Sequence, residues 1–454
     1  MTAVVFWGLI AIVVLAPLPY GAVHLWSYSL LSLLTGTVLA VWAVAAARRP
    51  GACPVEARRY AVPAALFAGV LVWVGLQACP FVPVSWHHPL WADARSALGA
   101  TAVGSISLDA DETLLVLMRM ATFGSVFWLS MQLCRDPGRA TVALWAIAIA
   151  GLAYAAYGIA VEATASGTIL FSRKWAYVDA LTSTLVNRNH YAVYAGLGLI
   201  VSFGLLIHEA RRRGRGAFQS PARLLGSFET LGLAVFLLGA SCMVIATALL
   251  LTQSRGGVAF TCIAVLFLVL LLGAGRNMGR RSTVAIVAAV SVGGGLLLAF
   301  TGEGVVVRLL TTPPSADRWT IQALTLEMIA AAPWTGHGAG TFAQLFQIFR
   351  GPDFAAISPT YTEAHSVYLE MVAEIGIVAG VAYFSAIVWL AAACVIGSRR
   401  RRRDAIVPAI AGSASLLIGL HSAIDFSAQI PGVAVTFAAL LGIGFAQSWS
   451  SEER

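Results

Sequence analysis

Long apolar runs recur along this 454-residue chain and constrain its fold more than any other feature. Each run has roughly 18 to 25 residues, enough to cross a ~30 Å hydrocarbon core as a helix. Hydrophobic residues make up 59% of the chain and charged residues 11%, a balance that soluble domains of this length do not have. We predict an all-α polytopic membrane protein, a single integral membrane domain over residues 1–454, with about twelve spans. The predicted spans lie near residues 3–20, 25–46, 60–79, 113–133, 140–160, 189–207, 229–251, 257–275, 283–300, 366–396, 405–422 and 431–448.

The placement of arginine predicts the orientation of these spans. Short loops rich in Arg remain in the cytoplasm, and a cytoplasmic N-terminus puts nearly all of the Arg clusters there. The inner arginines are then Arg48, Arg49, Arg58, Arg59, Arg135, Arg139, Arg211–Arg213, Arg215, Arg276, Arg280, Arg281 and Arg399–Arg403. Both termini are therefore predicted to be cytoplasmic, and residues 301–365 to lie outside.

The net charge of +8 is interpreted as part of this topology signal. Arginines beside a span are typical of contact with anionic membrane lipids, so we predict lipid contact and no nucleic-acid partner. The six cysteines have no spacing typical of a metal site or a disulfide framework, and no metal ligand set is predicted among them.

The polar segment 301–365 is the largest interruption between the spans. Ile321, Leu324 and Met328 follow a helical spacing, which predicts an amphipathic helix from Ser315 to Ala332. The run Gly336–Gly340 breaks it and lacks the sequence context of a phosphate-binding P-loop, so it is interpreted as a turn. A second short helix is predicted because Phe342, Leu345, Phe346 and Phe349 share one face. Both helices would lie on the membrane surface or cap a cavity.

Three arginines at the outer ends of spans are candidate phosphate ligands. Arg255 lies in a predicted tight turn, Thr252–Gly257, whose two glycines would let a backbone come close while the guanidinium grips a phosphate. Arg188 and Arg318 have similar positions. The alternative is that such an Arg only extends toward lipid headgroups.

Two further residues are candidates because of where they lie in a span. Arg119 is predicted about two turns inside a span, where a charge normally faces a polar cavity. Its alternative role is an internal ion pair with Glu370 or Glu374, which lie at i and i+4 on one helical face. His365 is predicted within the first turn of the span that begins near Glu363, where the helix dipole opposes protonation. A neutral imidazole there suits a general base, and the alternative is an ordinary interfacial residue.

Other polar residues are weaker candidates. His190 follows Arg188, and His421 and Asp425 lie at i and i+4 near a helix end, where capping and local hydrogen bonds are a sufficient explanation. Asp109 and Asp111 form a D-x-D sequence that in some sugar transferases holds a divalent metal. Here the pair directly precedes a span, and acidic residues are common at a helix N-terminus, so both interpretations stay open.

A set of motifs occurs in a fixed order along the chain. The motifs are Val186–Ala192, Ser254–Gly257, Arg318–Trp319 with Pro333, Gly336, Gly338, Gly340 and Phe342, Ala364–Leu369, Glu374–Gly376, His421–Asp425 and Pro431. Taken together, they resemble the O-antigen ligase and polymerase family of bacterial inner-membrane glycosyltransferases over roughly residues 115–445. Ser366 departs from the family pattern, which usually has Asn after the His, and the change could alter how His365 is oriented.

The resemblance implies a GT-C-like helical scaffold and transfer of a glycan from an undecaprenyl pyrophosphate carrier to an acceptor hydroxyl, with inversion, at the outer face of the membrane. The acceptor would be lipid A core for a ligase or another repeat unit for a polymerase, and a chain-length regulator is a further candidate partner. Arginines that neutralise the leaving group would make a metal or nucleotide cofactor unnecessary. Arg255, Arg318 and His365 would be catalytic, and the substrate-binding residues would be Arg188, His190, Arg119, Tyr368 and Glu374.

A transporter is the alternative from another functional class. Arg119, Glu370, Glu374 and the Gly293–Gly295 run would suit charged sites and broken helices near the bilayer midplane. The chain shows no paired halves, however, and its reactive groups crowd the outer edge, which favours the transferase. Ligase and polymerase remain open.

Overall fold

The computed structural model describes residues 2–48, 53–99, 103–164, 166–213, 228–274, 284, 316–351, 361–401 and 405–450. These ranges are mostly helical, with loops between the helices and two short strands, β1 (Thr168–Ile169) and β2 (Ser172–Arg173), that pair antiparallel. The helices within them are α1 (Thr2–Leu15), α2 (Leu25–Ala47), α3 (Ala57–Ala78), α4 (Leu90–Leu98), α5 (Ala110–Leu133), α6 (Pro137–Ala163), α7 (Arg188–Arg213), α8 (Phe228–Leu251), α9 (Arg255–Ala274), α10 (Ala316–Ala331), α11 (Phe342–Phe349), α12 (Val367–Ile375), α13 (Ile377–Arg400), α14 (Ile406–His421) and α15 (Pro431–Ala446).

Eight of these helices are long and apolar enough to cross a bilayer: α2, α3, α5, α6, α7, α8, α9 and α13. This is consistent with the predicted all-α polytopic membrane protein. Three shorter apolar helices, α1, α14 and α15, occupy the predicted spans 3–20, 405–422 and 431–448. The predicted span 283–300 lies outside the described residues except for position 284. The total of about twelve spans therefore stays a prediction.

The core of the bundle is built around α7, α14 and α15. Helix α7 packs against α6, α8, α9 and α14, while α15 packs against α5 and α14. Small residues let the helices approach closely: a Cβ atom on Gly198 of α7 would lie 3.3 Å from the Cα atom of Gly151 of α6. Such contacts are typical of membrane helices, where van der Waals packing replaces the hydrophobic effect between apolar surfaces.

The predicted span 366–396 is wrong as a single helix. Gly376 has φ 81° and ψ 163°, a conformation that only glycine adopts readily, and it separates α12 from α13. The Ile377 N–H then bonds to the Pro333 carbonyl at 2.8 Å rather than continuing the ladder of α12. Hydropathy did not reveal the break because both helices are apolar. As a result, Glu370 and Glu374 belong to a separate nine-residue helix that precedes the candidate span α13.

The prediction of two short helices in the polar segment is confirmed. Helix α10 buries Ile321 and Met328 completely, and α11 buries Phe342, Leu345 and Phe346. Residues 301–315 and 352–360 of this segment lie outside the described residues, and its predicted position outside the membrane is not tested.

The glycine-rich run 336–340 is a turn, as predicted. It is tied to α12: the His337 N–H bonds to the Ala373 carbonyl at 3.1 Å, and the Gly338 N–H bonds to the Glu374 carbonyl at 2.9 Å. The turn therefore serves to dock the segment against the end of α12.

Replacement of Gly376 by Ala is expected to destabilise the protein. Its backbone conformation costs a non-glycine residue about 1–3 kcal/mol, and the new methyl group would overlap the Trp334 carbonyl oxygen. Thermal unfolding in detergent should show a lower Tm for Gly376→Ala. The matched control is Gly69→Ala in the interior of α3, where a methyl group meets nothing within 4 Å. An unchanged Tm for Gly376→Ala would contradict the assigned helix break.

Candidate active site

The connection between α14 and α15, residues 421–429, is named here the corner segment. It joins the starts of three helices whose motifs are far apart in the sequence. The Asn189 amide near the start of α7 donates to Asp425 Oδ2 at 2.8 Å. Ser254, just before α9, donates from Oγ to Asn189 Oδ1 at 2.8 Å. The first residue of α12, Val367, donates its N–H to the Ser422 carbonyl at 2.9 Å. Four of the sequence motifs thus meet at one end of the bundle.

Two imidazoles pack against the same aromatic residue of the corner segment. The His190 ring centroid lies 4.6 Å from that of Phe426, and the His365 centroid lies 5.7 Å from it. Tyr361 contacts the His365 ring at a centroid distance of 5.9 Å. Phe426 was not a candidate in the sequence, since a lone Phe carries no chemical signal, yet it brings His190 and His365 together.

Asp425 is the buried acid of this site, with 1% of its surface exposed. His190 Nε2 lies 3.5 Å from Asp425 Oδ1, and Ser427 Oγ donates to Oδ1 at 2.8 Å. Burial alone raises the pKa of the Asp425 carboxyl, but His190, His421 and Ser427 together hold this pKa well below its usual value. Asp425 is therefore a carboxylate at neutral pH. The sequence interpretation of His421 and Asp425 as local capping residues is incomplete, because the Asp425 carboxylate also accepts a hydrogen bond from Asn189 in α7.

The sequence predicted that His365 lies in the first turn of a span, but the structure places it before the start of α12. It has φ 53° and precedes Ser366, whose side chain accepts the Leu369 N–H and caps α12. Ser and Asn are equally good N-caps, so the departure from the family pattern at Ser366 preserves the helix start. His365 still lies beside the positive end of a helix, as the dipole argument requires.

Arg188 and Arg255 are the first residues of α7 and α9. The N-terminal ends of these helices, together with that of α12, point toward the corner segment. A helix N-terminus carries about half a positive charge, so three of them with two arginines favour an anion, whereas the Asp425 carboxylate opposes one. The Arg188 guanidinium carbon lies 5.5 Å from the centroid of the Tyr177 ring.

The sequence suggested that the two glycines after Arg255 leave room for a ligand, but in the structure neighbouring side chains fill that space. A Cβ atom on Gly256 would lie 2.6 Å from Ile424 Cδ1 and 3.7 Å from His421 Nε2, and one on Gly257 would overlap Ala192. These glycines instead allow α9 to pack closely on α7 and on the corner segment. Arg255 itself starts the helix, and the tight turn precedes it at Gln253, whose φ is 54°.

Arg318 lies in the first turn of α10, and its side chain is outside the described residues. Helix α10 packs against α11 and α12. A role for Arg318 beside Arg255 stays a prediction.

A cavity of about 650 Å³ lies next to the corner segment. Its polar end is lined by carboxyl groups and one arginine, whereas residues from α3, α5, α13 and α15 make the rest of the wall apolar. The polar lining includes Glu112, Arg119, Gln344, Thr362, Glu363, Glu370, Glu374 and Gln429. Predicted residues Arg119, Tyr368 and Glu374 thus share one cavity.

Arg119 faces this polar cavity, as expected for a charge inside a helix. Its guanidinium carbon lies 5.3 Å from the centroid of the Tyr28 ring. Among the described residues Arg119 makes no ion pair within 4 Å with Glu370 or Glu374, so the alternative interpretation as a direct ion pair does not hold. The Arg119 charge nevertheless acts at longer range and lowers the pKa of Glu374.

Glu374 and Tyr368 are partly occupied by contacts within the protein. Glu374 Oε1 accepts the Phe342 N–H at 3.1 Å, and the Tyr368 hydroxyl donates to the Gly419 carbonyl at 2.8 Å. Burial raises the pKa of the Glu374 carboxyl to about 7, although the N–H groups of Gly340 and Phe342 and the charge of Arg119 lower it. Roles of Glu374 and Tyr368 in substrate binding stay predictions.

The D-x-D sequence lies at a helix start, as its simpler interpretation predicted. Asp109 caps α5 and accepts the N–H groups of Asp111 and Glu112 at 3.1 Å each. In the part of the chain that the structure describes, no three His, Cys, Asp or Glu side chains are grouped to hold a metal.

A pair of histidines, His88 and His337, was missed in the sequence because the two residues are far apart and belong to no motif. His88 Nε2 lies 2.9 Å from His337 Nδ1, and His337 Nε2 lies 2.9 Å from the Met328 carbonyl oxygen. The Leu90 N–H donates to His88 Nδ1 at 3.3 Å. When both rings are neutral, one choice of tautomers satisfies every hydrogen bond from Leu90 through the two imidazoles to Met328. A proton added to either ring would place two donors opposite each other. The pair ties the α3–α5 connection to the turn 336–340.

The stability contributed by this pair should fall on acidification. Burial and then His337 lower the pKa of His88 to about 4, and burial lowers the pKa of His337. The unfolded chain therefore binds more protons from about pH 6.5 down to pH 4, and stability is lost as the pH falls through this window. The Tm measured from pH 7 to pH 4.5 should decrease less for His88→Phe/His337→Phe than for the wild type. Parallel curves for the two proteins would contradict this role.

Removal of the Asp425 carboxylate should destabilise the bundle. Asp425→Ala removes the acceptor of the half-buried Asn189 amide and the carboxylate that faces the buried His190, which costs about 1–3 kcal/mol. The matched control Ser427→Ala removes only one of the donors to Asp425 and should cost about 1 kcal/mol. Thermal unfolding in nanodiscs measures both. A smaller loss for Asp425→Ala than for Ser427→Ala would show that the network is not what holds the corner segment.

One comparison with known protein families gave a match. Residues 240–384 match the family described as O-antigen ligase, a stretch that includes Arg255, Arg318, His365, Tyr368 and Glu374. No curated protein matches the chain. The match covers less than half of the chain and supports a membrane glycosyltransferase of the ligase or polymerase type. Over residues 240–384 the chain is thus similar to the O-antigen ligase family.

Proposed function

We propose that this protein transfers a glycan from an undecaprenyl pyrophosphate carrier to an acceptor hydroxyl at the outer face of the bacterial inner membrane. The observation that carries the proposal is that the helix starts occupied by Arg188 and Arg255, and the start of α12 next to His365, are all bonded to the corner segment directly or through Asn189. An anion that bears several charges and a hydroxyl that must lose a proton both find suitable chemistry there.

In this proposal the arginines bind the diphosphate. Guanidinium groups match phosphate oxygens in two parallel hydrogen bonds and stay charged at all physiological pH values. Arg255 and Arg318, with Arg188, would neutralise the charge that develops on the leaving diphosphate. Since the donor already stores the activation energy, this stabilisation is sufficient and no metal is required in the mechanism.

His365 would act as the general base. The acceptor oxygen attacks the anomeric carbon while its proton passes to the neutral imidazole, and the bond from that carbon to the phosphate oxygen breaks. The electron pair leaves with the diphosphate, and the configuration at the anomeric carbon is inverted. His190 lies against Asp425 and packs on Phe426, as His365 does. From this position it would contribute to substrate binding.

The cavity supports binding of an amphipathic substrate. Its apolar wall would hold part of an isoprenoid chain, and its polar end, with Arg119, Tyr368 and Glu374, would contact sugar hydroxyls. Helix α11 forms part of this polar end, which agrees with the expectation that a short helix of the outer segment caps a cavity.

A ligase and a polymerase use the same chemistry and differ in the acceptor, so the acceptor distinguishes them. Purified protein is incubated with lipid-linked repeat units, with and without lipid A core. A ladder of products without core would identify a polymerase, and a single shifted lipid would identify a ligase. Solute uptake into liposomes without lipid-linked donor would instead favour a transporter.

His365→Ala and Arg255→Ala should each lower the rate of transfer by roughly 10²–10³, the usual cost of losing a group that stabilises the transition state. The matched controls are His208→Ala in the distal part of α7 and the exposed Arg58→Ala, which should leave the rate unchanged. Transfer is measured with lipid-linked donor in proteoliposomes that contain equal amounts of inserted protein. Near-normal transfer by His365→Ala would refute the proposed base.

A further inference from the structure

The carboxyl group of Glu370 lies between the loop that carries His365 and the corner segment. Its Oε2 atom accepts the Ala364 N–H at 2.7 Å, and its Oε1 atom accepts the Gln429 amide at 3.0 Å. Only 4% of the Glu370 surface is exposed. Both oxygens of one buried side chain therefore join two segments that are distant in the sequence.

These two bonds define where the His365 imidazole stands. Ala364 precedes His365 directly, and on the other side Ser366 caps α12 while Val367 bonds to Ser422. His365 is thus one residue, at φ 53°, between two fixed backbone points. Gln429 belongs to the same corner segment as Phe426, against which the His365 ring packs. The carboxyl of Glu370 consequently holds both the loop that bears the His365 imidazole and the corner segment against which that imidazole packs.

The neighbouring Glu374 makes a comparable contact with a different backbone segment. Its Oε1 atom accepts the Phe342 N–H at the start of α11. The two glutamates on one face of α12 therefore hold opposite ends of residues 342–364. Only Glu370 contacts the residue adjacent to His365, so the two positions have separable effects.

We propose that Glu370 is a positioning residue for the transfer reaction, which holds the His365 imidazole in place by joining the Ala364 backbone to Gln429. The proposal rests on the proposed function, because it takes His365 as the base. Glu370 does not contact the reacting atoms in this account. A displacement of the order of 1 Å in a catalytic group can cost about 10²-fold in rate, which sets the scale of the expected effect.

The hydrogen bonds, rather than a negative charge, are what this role requires. Burial, followed by the charges of Glu374 and Glu363, raises the pKa of the Glu370 carboxyl well above its usual value. A protonated carboxyl and a carboxamide have nearly the same shape. Glutamine at this position still accepts the Ala364 N–H, and its amide can donate to Gln429 once that side chain turns its oxygen inward. Glu370→Gln should therefore preserve what Glu370→Ala removes.

Hydrogen exchange measured by mass spectrometry in nanodiscs tests the contact without any substrate. The Ala364 amide should be protected in the wild type and in Glu370→Gln, and should exchange at least about 10-fold faster in Glu370→Ala. Glu327→Ala is the matched control, since Glu327 is an exposed glutamate of α10. Wild-type protection of Ala364 in Glu370→Ala would overturn the proposal.

Transfer kinetics test the consequence. Glu370→Ala should lower kcat at least about 10-fold and leave the KM for the donor within about 2-fold, because the arginines are untouched. Glu370→Gln should keep at least about half of the wild-type kcat, and Glu327→Ala should be unchanged. If Glu370→Ala does not fold, Gln429→Leu releases the carboxyl from the corner segment and should lower kcat in the same way.

The outcomes separate this inference from the function on which it rests. A wild-type protein that transfers no glycan refutes the proposed function, whereas the exchange result still shows whether Glu370 holds Ala364. Loss of Ala364 protection with a normal kcat refutes the positioning role alone. Equal loss of activity in Glu370→Gln and Glu370→Ala also refutes it, because a charge rather than a shape would then be required.

Discussion

The carboxylate of Asp425 holds together the part of the molecule in which the candidate site lies. It accepts the Asn189 amide, faces His190, and through Asn189 is linked to Ser254 beside Arg255. A buried charge without partners would cost several kcal/mol, so these groups must stay together for the bundle to be stable. The starts of α7 and α9 are consequently fixed to the connection between α14 and α15, and the two arginines are fixed with them.

Apart from Asp425, the acidic side chains near His365 lie on other elements than the arginines that begin helices, and Arg119 shares the cavity with them. Arg188 and Arg255 begin α7 and α9, whereas Glu363, Glu370 and Glu374 line the cavity. Carboxylates close to a diphosphate would repel it, but Glu370 and Glu374 use their oxygens to accept backbone N–H groups. Burial raises the pKa of both, which reduces their negative charge further. Glu370 and Glu374 can therefore support the site with little repulsion of an anionic substrate.

Particular residues show why some features were predictable and others were not. The amphipathic spacing of Ile321 and Met328 is local, so the sequence predicted α10 almost to the residue. The break at Gly376 was missed because hydropathy averages over a window and does not report a single backbone angle. The His88–His337 contact and the bond from Asp425 to Asn189 join residues from different helices, and no local pattern encodes such a meeting.

By itself the sequence determined that the chain is helical and suited to a membrane, and which polar residues are candidates for chemistry, because apolar length and residue type are local properties. Only the tertiary structure decided that Asn189, Ser254, His365 and Asp425 lie at one end of the bundle, and that His365 stands outside its helix. Close packing at small residues and bonds between buried polar groups brought these segments together, and both depend on which helices become neighbours after folding.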